Sequence, residues 1–336
     1  MAAEQPHKVT AMDVARAAGV SQSTVSLVMN DRWRGRVGQV AADQIRSIAE
    51  ELGYRPNITA RNLRRGLTGS IALAVPTLTN PFFGAVYGGA ARAGEAHDLG
   101  LVVFPMASDD DPNPFRSPHQ AIDGLLICSL SEHMARAMSS GLPFALLDTA
   151  SESGMPSVTF DLDDGVAHAI AHLYALGHQR VLHVRADRDA WTFHWRSTAF
   201  HTAVRRHPGM VATEMLCSFS LPEARDTIVT ELNRHPRPSA VLCDDDNIAV
   251  AVYAAAARLG LAVPNDLSVI GINDLPIAVL MTPALTTIAL PGQELGRLGI
   301  QMFLKLRDGQ TAESVTLPTS LRIRESTAPP RPETAP

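Results

Sequence analysis

The chain has 336 residues, 46% of them hydrophobic and only 5% aromatic, with a formal net charge of -5. That size and apolar content suit two or three folded units built on Ala, Val, Leu and Ile, and exclude a disordered chain. Met1–Thr10 is too polar for a secretory signal, and no apolar run reaches the roughly 18–20 residues that span a bilayer, so a cytoplasmic protein with no membrane partner is expected. Residues 1–69 carry ten Lys/Arg against six Asp/Glu, so +4, leaving -9 for the rest. A basic front end on an acidic body is the asymmetry expected when one end meets phosphate.

From the N-terminus, Thr10 can cap a short helix running through Ala18, with Asp13 in its first turn and Val14, Ala15 and Ala18 on its apolar side. Gly19 can end it by taking positive φ. Ser21 then caps a second helix, Gln22–Met29, with Val25 and Val28 facing inward. Two short helices joined by a Gly-containing turn make a helix-turn-helix. In such a unit the second helix enters the major groove, and Gln22, Ser23, Thr24 and Ser26 are its outward donors and acceptors. Glutamine can bond an adenine edge bidentately. Asp31–Arg36 is a basic loop with an aromatic, offering Arg32 and Arg34 to phosphate. A third helix is expected over Val40–Leu52, ended by Gly53, after which Arg55, Arg61, Arg64 and Arg65 prolong the positive charge. Binding through several phosphates weakens steeply with salt.

The runs VTAMDVARAAGVSQSTVSLVMN and AEELGYRPNITARNLRRG resemble, in register over about sixty residues, the head of the lactose-repressor (LacI/GalR) family. The resemblance implies a three-helix head (1–56), then a hinge helix at about Asn57–Leu63 and a linker to 69. A helix of about seven residues does not persist alone in water. In the family two hinges pair in the minor groove of operator DNA, where a Leu wedges a base step. Leu63 matches that Leu, with Asn57 and Ala60 at the matching contact positions. Thr10, Ser21, Asn30 and Tyr54 complete the expected DNA-contacting set. Leu27 stands where many members carry a base-reading Arg. It is expected on the exposed side, touching a thymine methyl. The Trp33–Arg36 loop and Gly38 also depart from the family's capped start of the third helix.

Beyond Ser70 the pattern alternates strands and helices. Strands are expected at Ile71–Val75, Leu101–Phe104, Leu125–Ile127, Phe144–Leu147, Val181–Val184, Met215–Phe219, Ala240–Cys243 and Leu267–Gly271. Helices are expected at Phe82–Leu99, Asp164–Leu176, Trp195–Arg206, Pro222–Asn233, Asn247–Leu259 and Gln293–Leu306. Such βα alternation argues for parallel sheets covered by helices. The segments TNPFF, LGHQRV, SVIGINDLP and PALTTIALP resemble the family's two-lobed, periplasmic-binding-protein-like effector body. The fold class expected is therefore α/β, with an N-terminal helix-turn-helix head and hinge helix. The resemblance implies one lobe from 70–158 and 291–322, a second from 159–290 and 323–328, and a disordered tail, 329–336. Between Val103 and Leu125 the run SDDDPNPFRSPHQAID carries three prolines. A stunted helix or loop is expected there, with Asp109–Asp111 solvated.

Ligands of open α/β folds sit beyond the carboxyl ends of strands. Asn80, Phe82, Phe83, Asp148, Arg196, Phe219, Asp245 and Asn273 fall there by pattern. The resemblance implies effector contact for Arg196, Asp148, Phe219, Asp245 and Asn273, with Asn273 replacing a more usual Asp. Carboxylates and a forked guanidinium suit hydroxyl-rich ligands, while an Asp after a strand, Asp246 above all, can instead cap the next helix. A homodimer is expected, with double-stranded operator DNA and a sugar-like effector as partners, and with no cofactor, metal or catalytic residue. Cys128, Cys217 and Cys243 are expected as reduced core residues. His168 and His172 lie four apart but lack a third ligand, and they are expected on a helix surface with His194, His201 and His207. No GxGxxG, Walker A or GxSxG sequence anchors an enzyme reading, and the missing export signal and basic head argue against a transport receptor.

Overall fold

A computed structural model describes residues 9–54, 67–106, 122–139, 141–149, 151, 153–188 and 190–331. The expected hinge contacts Asn57, Ala60 and Leu63, and the proline-bearing segment 107–121, lie outside the described residues. Contacts divide the chain into a unit ending at Leu67 and one beginning at Thr68.

Among the described residues the first unit has three helices: α1 (Ala11–Ala18), α2 (Gln22–Met29) and α3 (Gln39–Glu51). Asp13 accepts both the backbone N–H (2.9 Å) and the hydroxyl (2.7 Å) of Thr10, fixing the start of α1. Gly19 ends it at φ 66°, a conformation L-residues resist. Ser21 caps α2 by accepting from Thr24 N at 3.1 Å. Gly38 starts α3 without a side-chain cap. Val14, Val25, Val28, Ala42, Ile45 and Ala49 meet in one small core. Trp33, the aromatic of the basic loop, is buried in that core. Its indole N–H donates to Asp31 at 2.9 Å, and the Arg34 and Arg46 guanidinium groups lie 5.9 and 5.2 Å from its ring centroid. A buried indole in so small a core anchors the loop.

The second unit holds two six-stranded sheets. The first sheet contains β1 (Ser70–Val75), β2 (Gly100–Pro105), β3 (Leu125–Cys128), β4 (Phe144–Leu147), β5 (Ser157–Phe160) and β11 (Val315–Leu317). Their order is β11-β5-β4-β3-β1-β2, all parallel. The second contains β6 (Arg180–Ala186), β7 (Val211–Cys217), β8 (Ala240–Cys243), β9 (Ser268–Asn273), β10 (Thr286–Ala289) and β12 (Ser320–Arg322). Their order is β12-β10-β9-β8-β6-β7, with only β12 antiparallel. The helices are α4 (Pro81–Glu95), α5 (Glu132–Ser139), α6 (Leu162–Ala175), α7 (Trp191–Arg205), α8 (Leu221–Leu232), α9 (Asp246–Arg258) and α10 (Gly292–Arg307).

Strand residues alternate between cores, as a period of two requires. Ile71, Leu73 and Val75 enter a cluster shared by both sheets, while Ala72 and Ala74 face the opposite side of theirs. Leu242 joins the shared cluster, and Val241 and Cys243 the outer side of the second sheet. α4 and α10 cross almost backbone to backbone. A Cβ on Gly89 would stand 1.8 Å from the Gln293 carbonyl, and one on Gly296 would stand 2.0 Å from that of Val86.

Several expected bounds shift. The helix expected over Phe82–Leu99 ends at Glu95, and Gly100 opens β2 instead of closing the helix. The helix expected from Trp195 starts at Trp191, a turn earlier. Strand β5 pairs into the first sheet through Phe160, and β12 pairs into the second from Ser320. Within the segment expected as a disordered tail, Arg331 pairs with Asp266 at 2.6 Å, and 332–336 lie outside the described residues. Among the described residues no helix is long and apolar enough to cross a membrane.

Candidate functional site

Helix α2 buries Val25 and Val28 and leaves Gln22, Ser23 and Ser26 exposed. Thr24 is half-buried, its hydroxyl 2.8 Å from Ser21 Oγ. Ser21 and Thr10 are exposed but already committed to caps, and Asn30 donates its amide to the Ser26 carbonyl at 2.7 Å. Arg32 and Arg34 are exposed beside the anchored Trp33. Tyr54 is half-buried against the head's core, and burial raises its phenol pKa. Leu27 departs from expectation: it packs, half-buried, on that same core, because the Trp33 loop folds back over the end of α2.

The carboxyl ends of strands from both sheets converge on a cleft of about 320 Å³. All eight residues expected there, Asn80, Phe82, Phe83, Asp148, Arg196, Phe219, Asp245 and Asn273, line it. Sequence reasoning missed Ser129, Arg188, Thr192, Phe193 and Asn247, which line it too. The only signal for these was their place just past a strand or early in a helix. A wider depression of about 860 Å³ outside α4 and α10 shares Phe82 and Asn273. Its charged side chains are already paired, Arg92 with Gln293 and Arg297 with Glu294.

Within the cleft Asn80 does two jobs. Its carbonyl caps α4 by accepting from Phe82 N at 3.0 Å, and its amide crosses from the first sheet to the second to donate to Asp245 at 2.8 Å. Asp245 also accepts from Asn273 Nδ2 (2.7 Å), and from Asn247 N (2.7 Å) and Nδ2 (2.8 Å). Asp245, not the expected Asp246, is therefore the cap of α9. Asp246 turns inward to accept from Leu275 N and Thr287 Oγ1 at 2.6 Å each, and burial pushes its pKa up to about 7. Asp148 is buried with φ 48°, accepting from Ser129 at 2.8 Å and from Thr192 at 3.5 Å. Burial raises its pKa, against the Arg196 charge that lowers it. Ser129, Asp148 and Asn273 all hold positive φ at the cleft, a backbone strain that clusters where side chains must be aimed.

Arg196 lies in the second turn of α7, buried, instead of opening the helix. Its Nη1 donates to the Asp244 carbonyl, its guanidinium lies 5.4 Å from the Phe193 ring centroid, and its Nε has no hydrogen-bond partner. Phe219 lies beyond the end of β7 at Cys217, under the Arg188 guanidinium at 5.7 Å.

Behind the cleft is a chain of charges that sequence reading missed. His183, fully buried in β6, bonds Asp244 through Nε2 (2.8 Å) and Glu214 through Nδ1 (3.0 Å). Burial alone would lower its pKa, but the two carboxylates overcome this and raise it to about 9. The His183 bond in turn lowers Glu214 to about 2. Asp244 Oδ2 accepts from Ala186 N at 3.0 Å. The discounted histidines serve elsewhere. His168 is exposed beside Asp164, His172 bonds Thr327 at 2.9 Å, and His194 lies 3.3 Å from Arg185. His201 lies 3.6 Å from Glu214, and His207, just past α7, stacks on Tyr174. Among the described residues no group of three or more His, Cys, Asp or Glu could hold a metal. The three cysteines are free and buried, and burial raises their thiol pKa values.

Residues 10–57 match bacterial regulatory proteins of the lacI family, and residues 170–327 match the periplasmic binding protein-like domain. The chain is 30% identical to the HTH-type transcriptional regulator DegA of Bacillus subtilis (strain 168), over 96% of this chain and 99% of that protein. It is 31% identical to the ribose operon repressor of Escherichia coli (strain K12), over 88% and 92%. A crystal structure of the Lac repressor dimer bound to operator and the anti-inducer ONPF superposes with a TM-score of 0.79 at 26% identity, covering 95% of this chain and 99% of that one.

Proposed function

The chain belongs to the lacI family of bacterial regulatory proteins, a DNA-binding transcriptional regulator, and on that premise we propose that it acts in the cytoplasm as a homodimeric repressor controlled by a sugar-like metabolite. The observation that carries this is helix α2, whose apolar residues are all drawn into the head while Gln22, Ser23 and Ser26 stay exposed, Ser23 with its hydroxyl on Ser21 Oγ at 2.7 Å. Two heads would read half-sites of a roughly palindromic operator, with Arg32 and Arg34 on phosphates and Asn57, Ala60 and Leu63 at the minor groove. The effector would occupy the cleft between the two sheets, and a shift of one sheet against the other would alter how the hinges pair. Coupling of this kind is typically about 1–3 kcal/mol, or about 5- to 150-fold in operator affinity.

Selection from random duplexes, followed by gel shifts over a salt series with and without metabolites, tests this. A palindromic preference whose affinity falls steeply with salt and responds to a metabolite supports the proposal, and a protein indifferent to every duplex ends it. Gln22→Ala is expected to relax the preference at one base pair per half-site, by about 1–3 kcal/mol, in the same selection. Unaltered preference would remove Gln22 from the base-reading set.

A further inference from the structure

Resting on the reading of the cleft as the effector site, we infer that the effector carries an anionic group, carboxylate or phosphate, on a small hydroxylated ring, and that Arg188 selects for it. Four charged residues line the cleft: Asp148, Asp245, Arg188 and Arg196. The Asp245 carboxylate already accepts four hydrogen bonds, all from asparagines, two on each oxygen. A carboxylate has about four lone-pair positions, so Asp245 has none left for a ligand hydroxyl. Asp148 keeps room for a hydroxyl or two, since its bonds are one from Ser129 and a long one from Thr192.

The cationic side is under-used. Arg196 commits Nη1 to a backbone carbonyl and leaves Nε without a partner. Arg188 lies over the Phe219 ring and makes no ion pair with the described residues. Two guanidinium groups thus face one carboxylate that still has capacity.

A neutral sugar donates about as often as it accepts, and it would leave guanidinium charge unmatched as it displaced water. An anion meets both arginines with charge-assisted, fork-like bonds, while its hydroxyls reach Asp148 and a ring face lies on Phe219. The volume, about 320 Å³, sits at the small end of ligand pockets, which suits one ring rather than two.

Titration calorimetry on the full-length protein tests this with matched probes: ribose against ribose 5-phosphate, and glucose against glucuronate and glucose 6-phosphate. The expected result is that at least one acid binds about tenfold or more tighter than its neutral counterpart. The glucuronate and phosphate arms tell which anion is used. Arg188→Met is expected to reduce that acid-to-neutral ratio by about tenfold, with partial recovery in Arg188→Lys and thermal melts reporting the fold of each variant. The inference is overturned if the neutral member binds as well in every pair, if the ratio survives Arg188→Met, or if no acid binds at millimolar concentration. An operator response confined to neutral sugars would overturn it and leave the proposed function standing. A protein that binds no duplex would instead defeat the proposed function.

Discussion

Replacing Arg196 with alanine is expected to abolish the effector's hold on operator binding, with effector affinity falling by about 2–5 kcal/mol, or about 30-fold to several-thousand-fold. The guanidinium lines the cleft, and among the described residues its charge, with the hydroxyls of Ser129 and Thr192, opposes the desolvation of the buried Asp148 carboxylate. Its loss leaves Asp148 buried without a counter-charge and the Asp244 carbonyl without a donor. Leaving such groups unpaired costs more than the bonds themselves contribute. Calorimetry with any binding metabolite, alongside gel shifts, reads the result. Wild-type effector affinity in Arg196→Ala would take this side chain out of the site.

His183→Leu is expected to destabilise the body by about 3–5 kcal/mol, because it leaves the fully buried Asp244 carboxylate without a cation. A double variant, His183→Leu with Asp244→Leu, is expected to recover most of that loss, since an apolar pair avoids the desolvation that the ion pair must overcome. The pH dependence follows from the direction of each shift. His183 is raised to about 9 in the folded chain, against 6.5 unperturbed. Its contribution is fully present below 6.5 and disappears as the pH rises through about 9. Glu214 is lowered to about 2 from 4.5, so its contribution is present above 4.5 and is lost as the pH falls through about 2. Urea unfolding midpoints between pH 6 and 10 should therefore decline in the wild type and stay flatter in the double variant. Equal slopes would show that His183 is not the titrating group.

The sequence disclosed the head and the cleft more fully than the wiring between them. Helix α2 was legible to the residue because Ser21 and the Val25/Val28 spacing are local signals. The eight cleft residues were legible because strand ends in a parallel sheet must point one way. Leu27 was misplaced because the loop after α2 folds back over its end. A basic, glycine-bearing loop looks solvated in sequence, yet in so small a core an indole is worth burying, and the loop covers its neighbours as it folds back. The His183, Asp244 and Glu214 chain was invisible because its members lie 31 and 61 residues apart from the histidine and meet only through the pairing of β6 with β7 and β8. Asp245 caps α9 in place of Asp246 because which of the two adjacent aspartates caps the helix depends on one backbone turn that no propensity specifies.

Near the C-terminus, β11 and β12 are separated by two residues, Pro318 and Thr319, yet belong to different sheets. Thr319 is tied to the carbonyl of Asp161 at 2.9 Å, and Asp161 N to that of Leu317 at 2.8 Å, where the chain makes its earlier passage between sheets. These two passages run side by side, and under the proposed function they would serve as a pivot for any rotation between the halves of the body. Trimming the chain ahead of Ser320 would therefore remove a sheet edge and loosen this crossing together, although in sequence the stretch reads as the approach to a dispensable end.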